Sequence, residues 1–402
     1  MSKGEDLEGA IRAVLSGGSR LKEANDFIYS FVELAEAFEP SLALFQNPDD
    51  DVRFFASNII YSKVKNHWAT QLNAAQQDEI YRFLISVVEN PAQYNGSSEM
   101  RGSSQFRAFL NRVILSLCCV SSFAVGGLQV YVDMALRKVH MLLQPNPSDI
   151  DVNCALIGLE MLVLLPTEID SLDIGEASRT ELEEQLVKCT TPVMEKIELV
   201  STAQPAARHV VVGIINAMRS WLLQGVTLSG LYSEHKAALG LVCASLRSDD
   251  AERVKLGCGF LRELVCVSDY PPSSKRDEAV LFLIHSFVES TLQLAPFFDM
   301  DSARGDQDAA YEICYCMVTI ASQEIALVTS PQFCNVDFFR LLLSCATQKP
   351  RKIASLTFDF WLSLQDTPVA ERHPYTHQEI FEKLLDILLK QSMYPGNFVT
   401  WE

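Results

Sequence analysis

The chain reads as an all-α solenoid, a curved superhelix of HEAT-like antiparallel helix pairs. Three observations predict this. Apolar residues recur at helical spacing nearly everywhere along the 402 residues. Pro- and Gly-containing breaks divide the sequence into segments of about 12–22 residues, which pair off at about 40–50 residues per pair. No convincing period-two strand appears, although Val210–Ile215 is locally β-prone, and no Asn-Gly hairpin joins two alternating runs.

The elements follow in order. A first pair is predicted over 5–16 and 20–38, where Phe27, Phe31, Leu34 and Phe38 fall at i, i+4, i+7 and i+11. A second covers 40–46 and 49–66. Its longer helix carries the stripe Val52, Phe55, Ala56, Ile59 and Ile60, with acids at the start and lysines near the end to complement the helix dipole. The third pair, 73–89 with 103–122, is led by Ile80, Phe83, Leu84, Val87 and Val88. The loop 90–104 separates its two helices; Asn95-Gly96-Ser97 inside it has the form of a glycosylation sequon and is read as plain loop. Pairs 128–143 with 149–165, 176–199 with 206–224, and 229–246 with 249–267 follow. Then come 276–294 with 306–328, and 335–347 with 350–365. Loops at 144–149, 268–275, 299–308 and 366–377 punctuate them through Pro, Gly, Ser and Asp. The helix 149–165 is expected to stop at Pro166. A last helix, 376–391, carries Phe381, Leu384, Leu385, Leu388 and Leu389 and has no partner. With Pro395-Gly396 and VTWE after it, the chain looks unfinished, like the N-terminal part of a longer protein. The expected organisation is therefore one solenoid over 1–402, about eight pairs plus a terminal helix. Each pair buries its remaining face against the next.

Composition narrows the function. The 33 Lys/Arg against 51 Asp/Glu leave a net charge of −18, unsuited to a general nucleic-acid binder, which must neutralise phosphates. An acidic surface suits basic partners through steering, or serves solubility. Eleven cysteines, no signal-like N-terminus and no apolar run near the ~18 residues of a membrane span indicate reduced thiols in the cytosol or nucleus and no membrane partner. No P-loop, HExxH, GxSxG or CxxC pair occurs, so neither a catalytic residue nor a cofactor is expected. His373 and His377 stand four apart, but Pro374 lies between them and no third ligand is near, so no metal site is assigned. Trp68, Trp221 and Trp361 lie in or near apolar stripes and read as core.

Two stretches stand out as surfaces. In Asp49–Trp68, DDDVRFFASNIIYSKVKNHW, the residues Phe54, Asn58, Tyr61 and Lys65 fall opposite the apolar stripe. Aromatics among polar neighbours are typical interface anchors; the same face could equally pack on an adjacent repeat. Tyr61 and Lys65, outside the stripe, are expected to be replaceable without harm to the fold. In the second stretch, Glu168–Glu198, nine acids face three bases. Glu181, Glu183 and Glu184 head its helix as a candidate surface for basic partners.

These stretches carry a resemblance. FFASNIIYSKVKNHW resembles the second-repeat helix of the importin-β superfamily of nuclear transport receptors, the karyopherins. LLPTEIDSLDIGEASRTELEEQL, Thr357-Phe-Asp-Phe-Trp-Leu-Ser-Leu364 and Trp221-Leu-Leu-Gln-Gly-Val226 resemble segments of its transportin-SR/Mtr-ten-like branch. The resemblance implies a HEAT-repeat receptor without enzymatic activity that shuttles between cytoplasm and nucleus. It would carry basic protein cargo, engage nucleoporin FG repeats and bind Ran-GTP through an N-terminal region, 1–165, with further repeats over 166–402. By position, Phe54, Asn58, Tyr61, Lys63 and Lys65 would lie in the Ran-contacting region. The nucleotide and its Mg²⁺ would belong to Ran, leaving this chain without a cofactor. A HEAT/armadillo scaffold indifferent to Ran is the alternative.

Overall fold

The long helices begin where the sequence supplies an oxygen to cap them. Asp49 accepts from the Asp51 amide at 3.0 Å, Asn73 from Gln76 at 3.0 Å, and Ser148 from Asp151 at 3.3 Å. Asp306 accepts from Asp308 and Ala309, both at 2.9 Å. Asn73 and Ser148 complete reciprocal capping boxes with Gln76 and Asp151, and each cap stabilises its helix by about 1 kcal/mol. The computed structural model describes residues 3–17, 19–94, 104–203, 207–267, 274–299 and 301–392. Of these, 83% are helical and none is in a strand, an all-α solenoid as the periodicity predicts. Asn95-Gly96-Ser97 and Pro395-Gly396 lie outside the described residues.

The chain divides into two compact units, Met1–Lys196 and Ile197–Glu402. The first contains α1 (Lys3–Ser16), α2 (Leu21–Val32), α3 (Phe38–Ala43), α4 (Asp50–Gln71), α5 (Ala74–Glu89), α6 (Ser104–Phe123), α7 (Gly127–His140) and α8 (Asp149–Asp170). Helix α9 (Glu176–Thr202) begins in it. Successive partners pack side by side: α1 on α2, α3 on α4, α5 on α6, α7 on α8. Links of α4 to α6 and of α6 to α8 stack the pairs. Their apolar stripes form a continuous core, with Val52, Ile60, Leu84, Phe109, Leu117, Val132 and Leu162 fully buried. The second unit contains α10 (Arg208–Ser220), α11 (Leu228–Glu234), α12 (Lys236–Ser245), α13 (Ala251–Cys266), α14 (Ser274–Glu289), α15 (Thr291–Phe298) and α16 (Gln307–Gln323). It continues with α17 (Ile325–Thr329), α18 (Val336–Ala346), α19 (Arg351–Ala354), α20 (Phe358–Asp366) and α21 (Gln378–Ser392). There α10, α13 and α16 form one row, and α11 packs on α14 and α14 on α18. Trp221 and Trp361 are core, as read from the sequence.

Several expected helices differ in extent, each for a visible reason. The segment 20–38 breaks after Val32, because Leu34 adopts an extended backbone before α3 starts at Phe38. The segment 229–246 divides at His235, where the Glu198 carboxylate accepts from the amides of Ala237 and Ala238 at 3.0 and 2.9 Å and so starts α12 anew. The segment 276–294 bends by 64° between α14 and α15. The buried Ser290 hydroxyl donates there to the Ser286 carbonyl at 2.7 Å, a side-chain bond that competes with the helix ladder. Pro166 does not end α8, which runs to Asp170 because Leu165, Glu168 and Ile169 of its last turn are all buried. The expectation that no run approaches membrane-spanning length is also corrected. Both α6 and α8 are long and apolar enough by length and composition, and here they pack on each other, with α6 also on α4, α5 and α7.

Candidate protein-binding surfaces

Helix α4 presents its two lysines to different neighbours. Lys63 follows Ile59 and Ile60 by four and three residues, so the helix turns it toward the core, where it is 0% exposed. Its Nζ donates to the carbonyls of Val32 at 2.7 Å and Leu34 at 2.9 Å, and to Gln71 Oε1. It also lies 5.2 Å from the Phe38 ring centroid. It therefore satisfies carbonyls at the end of α2, where a cation complements the helix dipole. Burial lowers its pKa, with Glu33 opposing. This corrects the assignment of Lys63 to a partner surface: its donors are committed inside the fold.

Lys65 and Tyr61 meet α8 instead. The Tyr61 hydroxyl donates to the two Glu168 carboxylate oxygens at 2.9 and 3.0 Å. Lys65 Nζ donates to Glu168 Oε1 at 3.0 Å, to the Tyr61 oxygen at 3.1 Å and to Ser171 Oγ at 2.7 Å. Cys119 Sγ of α6 approaches the same carboxylate at 3.3 Å. Two cations flank the Tyr61 ring, Lys65 Nζ at 5.4 Å and the Arg112 guanidinium at 5.2 Å from its centroid. Burial raises the Tyr61 pKa, and the Lys65 bond opposes this. Desolvation acts to lower that of Lys65, but the bonds to Tyr61 and Glu168 outweigh it and leave it raised. The Lys65 side chain is 23% exposed against 7% for Glu168, so the cationic edge opens outward and the acid does not.

The expectation that Tyr61 and Lys65 can be replaced without harm to the fold is thereby overturned. Removing either leaves the buried Glu168 carboxylate short of a donor, which costs about 1–3 kcal/mol or more for a charged group. The face opposite the stripe packs on the neighbouring repeat at these residues, while Phe54 and Asn58 on the same helix are half-buried.

Along the acidic stretch, burial separates two kinds of acid. Glu168 serves α4, and Glu198 caps α12. Asp170, Asp173, Glu176, Glu181, Glu183 and Glu184 are exposed, and none forms an ion pair among the described residues. Arg179 is turned away from them: its guanidinium donates to the carbonyls of Asp170 at 3.2 Å and Leu172 at 2.6 Å, fastening α9 to the end of α8. Sequence reasoning missed Glu168, Ser171, Arg112 and Arg179 as members of this arrangement. The signal for Glu168 was present, since it continues the α8 stripe three residues after Leu165.

Elsewhere, His373 Nδ1 accepts from the Tyr375 amide at 3.1 Å and His377 Nε2 lies 3.0 Å from the Arg372 carbonyl. Among the described residues no group of three or more His, Cys, Asp or Glu could hold a metal ion. All eleven cysteines are free, and Cys266 alone is exposed.

The family profile described as the Transportin-3/Importin-13 second TPR domain matches residues 305–391. Among solved structures, "Importin13 cytosolic state" superposes with a TM-score of 0.59 at 16% sequence identity. The match covers 88% of this chain and 39% of that one, a likeness of fold. No curated protein matches the chain by sequence. The profile match is confined to residues 305–391 and the structural likeness is one of fold; both agree with the resemblance of the motifs to the importin-β superfamily, the karyopherins.

Proposed function

We propose that this chain is the receptor solenoid of a nuclear transport factor. It binds Ran-GTP through its N-terminal repeats, within 1–165, and carries protein cargo through nuclear pores, with 166–402 supplying further repeats. The observation that carries the reading is the Transportin-3/Importin-13 profile match over 305–391 within an all-α solenoid. The chain spans 39% of the importin-13 structure it resembles, so cargo contacts made by other parts of such a receptor lie outside it.

In this reading the exposed acids at the start of α9 attract basic cargo, and the open side of α4 meets Ran. Phe54, Asn58, Tyr61 and Lys65 remain its candidate contacts, and Lys63 supports them from inside. Nucleoporin FG repeats are the expected pore partners, and shuttling between cytoplasm and nucleus follows from the same role. The chain catalyses nothing and needs no cofactor of its own.

The test is a pull-down with Ran loaded with a GTP analogue or with GDP. Retention of the GTP-analogue form alone supports the reading. Equal retention of both forms, or of neither, overturns it in favour of a HEAT/armadillo scaffold indifferent to nucleotide.

A further inference from the structure

Three cysteines stand within reach of solvent: Cys266 is exposed, and Cys154 and Cys334 are half-buried. Their surroundings differ. Burial pushes the Cys334 thiol up to about 11. Cys266 is the last residue of α13, where the negative end of the helix disfavours a thiolate. Cys154, on α8, has a cation against its sulfur: Lys138 Nζ of α7 donates to Sγ at 3.8 Å. Oxidants act on thiols that solvent reaches and that lie beside a cation.

The contact is built into the packing of α7 on α8. Gly158 lies one turn after Cys154, and a Cβ there would stand 2.8 Å from Lys138 Cβ. The missing side chain leaves room for the Lys138 stem against α8, and Lys138 is only 4% exposed. Its Nζ stands between two groups, the Cys154 sulfur and Glu89 Oε2 of α5, the latter at 3.4 Å. Arg137 shares Glu89 at 3.6 Å, but its side chain is largely exposed. In the reduced protein Lys138 therefore ties α7 to α5, which belong to successive helix pairs.

We propose that Lys138 and Cys154 are a redox-bridging pair, joined in the presence of a peroxide by a sulfenamide bond between Nζ and Sγ. Hydrogen peroxide first oxidises the thiol to a sulfenic acid: the O–O bond breaks, the sulfur keeps one oxygen, and water leaves with the other. The lysine nitrogen then attacks that sulfur. An N–S bond forms, the S–O bond breaks, and the hydroxyl departs as water with one ammonium proton. A second ammonium proton passes to solvent by way of the Glu89 carboxylate. Sulfur is oxidised by two electrons and the peroxide is reduced by two.

The bridge removes the lysine's charge. Glu89 loses this partner while α7 gains a covalent tie to α8, so oxidation exchanges a link between pairs for a link within one. Helix α6 still packs on both α5 and α7, so the stack persists with a freer end of α5. A thiol reductant restores the original link. Neither Ran nor cargo enters this chemistry, which stands apart from the transport reading.

The test treats the full chain with hydrogen peroxide, digests it and analyses the fragments by mass spectrometry. A species joining the Lys138 and Cys154 fragments, lighter than their sum by two hydrogen atoms, is expected, and dithiothreitol should dissolve it. Lys138→Arg keeps a cation that does not condense, so its Cys154 should be trapped by dimedone as the sulfenic acid, without a bridge. In the wild type, amide exchange over 86–90 should speed about two- to fivefold on oxidation, the weight of one part-exposed ion pair, and slow again on reduction. Cys154→Ser should show neither change. A wild-type Cys154 oxidised with Lys138 unlinked overturns the pair, and so does a Cys154 left intact while Cys266 or Cys334 is oxidised. A bridge that leaves exchange over 86–90 unchanged overturns the loss of the Glu89 link.

Discussion

Replacing Lys63 by Met separates a structural lysine from a partner-binding one. Methionine keeps an unbranched stem of similar length over the Phe38 ring and removes only the ammonium. Three acceptors lose their donor: the Val32 and Leu34 carbonyls and Gln71 Oε1. Gln71 is half-buried and can turn toward water, so the main loss falls on two carbonyls. Val32 is half-buried and Leu34 exposed, so each carbonyl left without its donor costs toward the lower end of about 1–3 kcal/mol. Against this stands the cost of burying the ammonium itself, which the variant no longer incurs. The expected net loss is about 1–2 kcal/mol. For a unit of this size that lowers the melting temperature by about 2–8 °C. Trp68, buried on the same helix, reports the transition by fluorescence in a urea titration. A midpoint corresponding to within about 0.5 kcal/mol of wild type, the range of ordinary surface substitutions, would refute the reasoning and return Lys63 to the list of surface contacts.

Three further outcomes are expected. A Cβ on Gly158 would stand 2.6 Å from the Ala135 carbonyl and 2.8 Å from Lys138 Cβ. The overpacking cost of about 1–3 kcal/mol therefore exceeds the helix-propensity gain of about 1 kcal/mol, and Gly158→Ala should lower the urea midpoint; a raised midpoint would show that α7 and α8 can part freely. Burial raises the Glu160 pKa above 4.5, with the Asn111 bond opposing. The folded state thus holds the proton more tightly between 4.5 and that raised value, and stability falls as pH climbs through the window. Glu160→Gln should accordingly raise the melting temperature at pH 7.5 and lose that advantage toward pH 4; a pH-independent difference would contradict this. Finally, Glu181, Glu183 and Glu184 changed together to Gln should leave the chain folded and slow its association with a lysine-rich protein. The salt dependence of the on-rate should also be shallower than in wild type, and stopped-flow slopes that coincide would assign these acids to solubility alone.

The helices were legible because a solenoid repeats one physical requirement: each helix must bury a stripe, and a stripe has a period. Val52, Ile59 and Ile60, or Ile80, Leu84, Val87 and Val88, mark their cores without reference to any other part of the chain. Breaks were legible where Pro, Gly or a run of small polar residues stops the backbone. They were not where the cause lies far away, as with the division at His235, which depends on Glu198 some forty residues earlier. Pro166 misled in the opposite sense. A proline removes one backbone donor, and the buried last turn of α8 outweighs that loss.

The surface residues show a more specific failure, and it has one cause. Lys63 extends the stripe of Ile59 and Ile60; Glu168 extends that of Leu165; Lys138 extends that of Tyr131 and Ala135 on α7. Read by charge, all three belong outside. Read by position, all three belong inside, and the structure follows position. Each ends on another element: Lys63 on the end of α2, Glu168 on α4, and Lys138 on Glu89 at the end of α5, with Nζ–Oε2 at 3.4 Å. A stack of apolar stripes alone fixes the register of neighbouring helices weakly, since one leucine fits much as another does. A charge in the stripe has few places where it can be satisfied, so it admits few registers. Such ties contribute specificity more readily than stability. In a solenoid, where each repeat touches only its neighbours, they also fix how one repeat is set upon the next. Charged residues at stripe positions therefore fix how one helix is set upon the next, and Glu168 occupies such a position between α4 and α8.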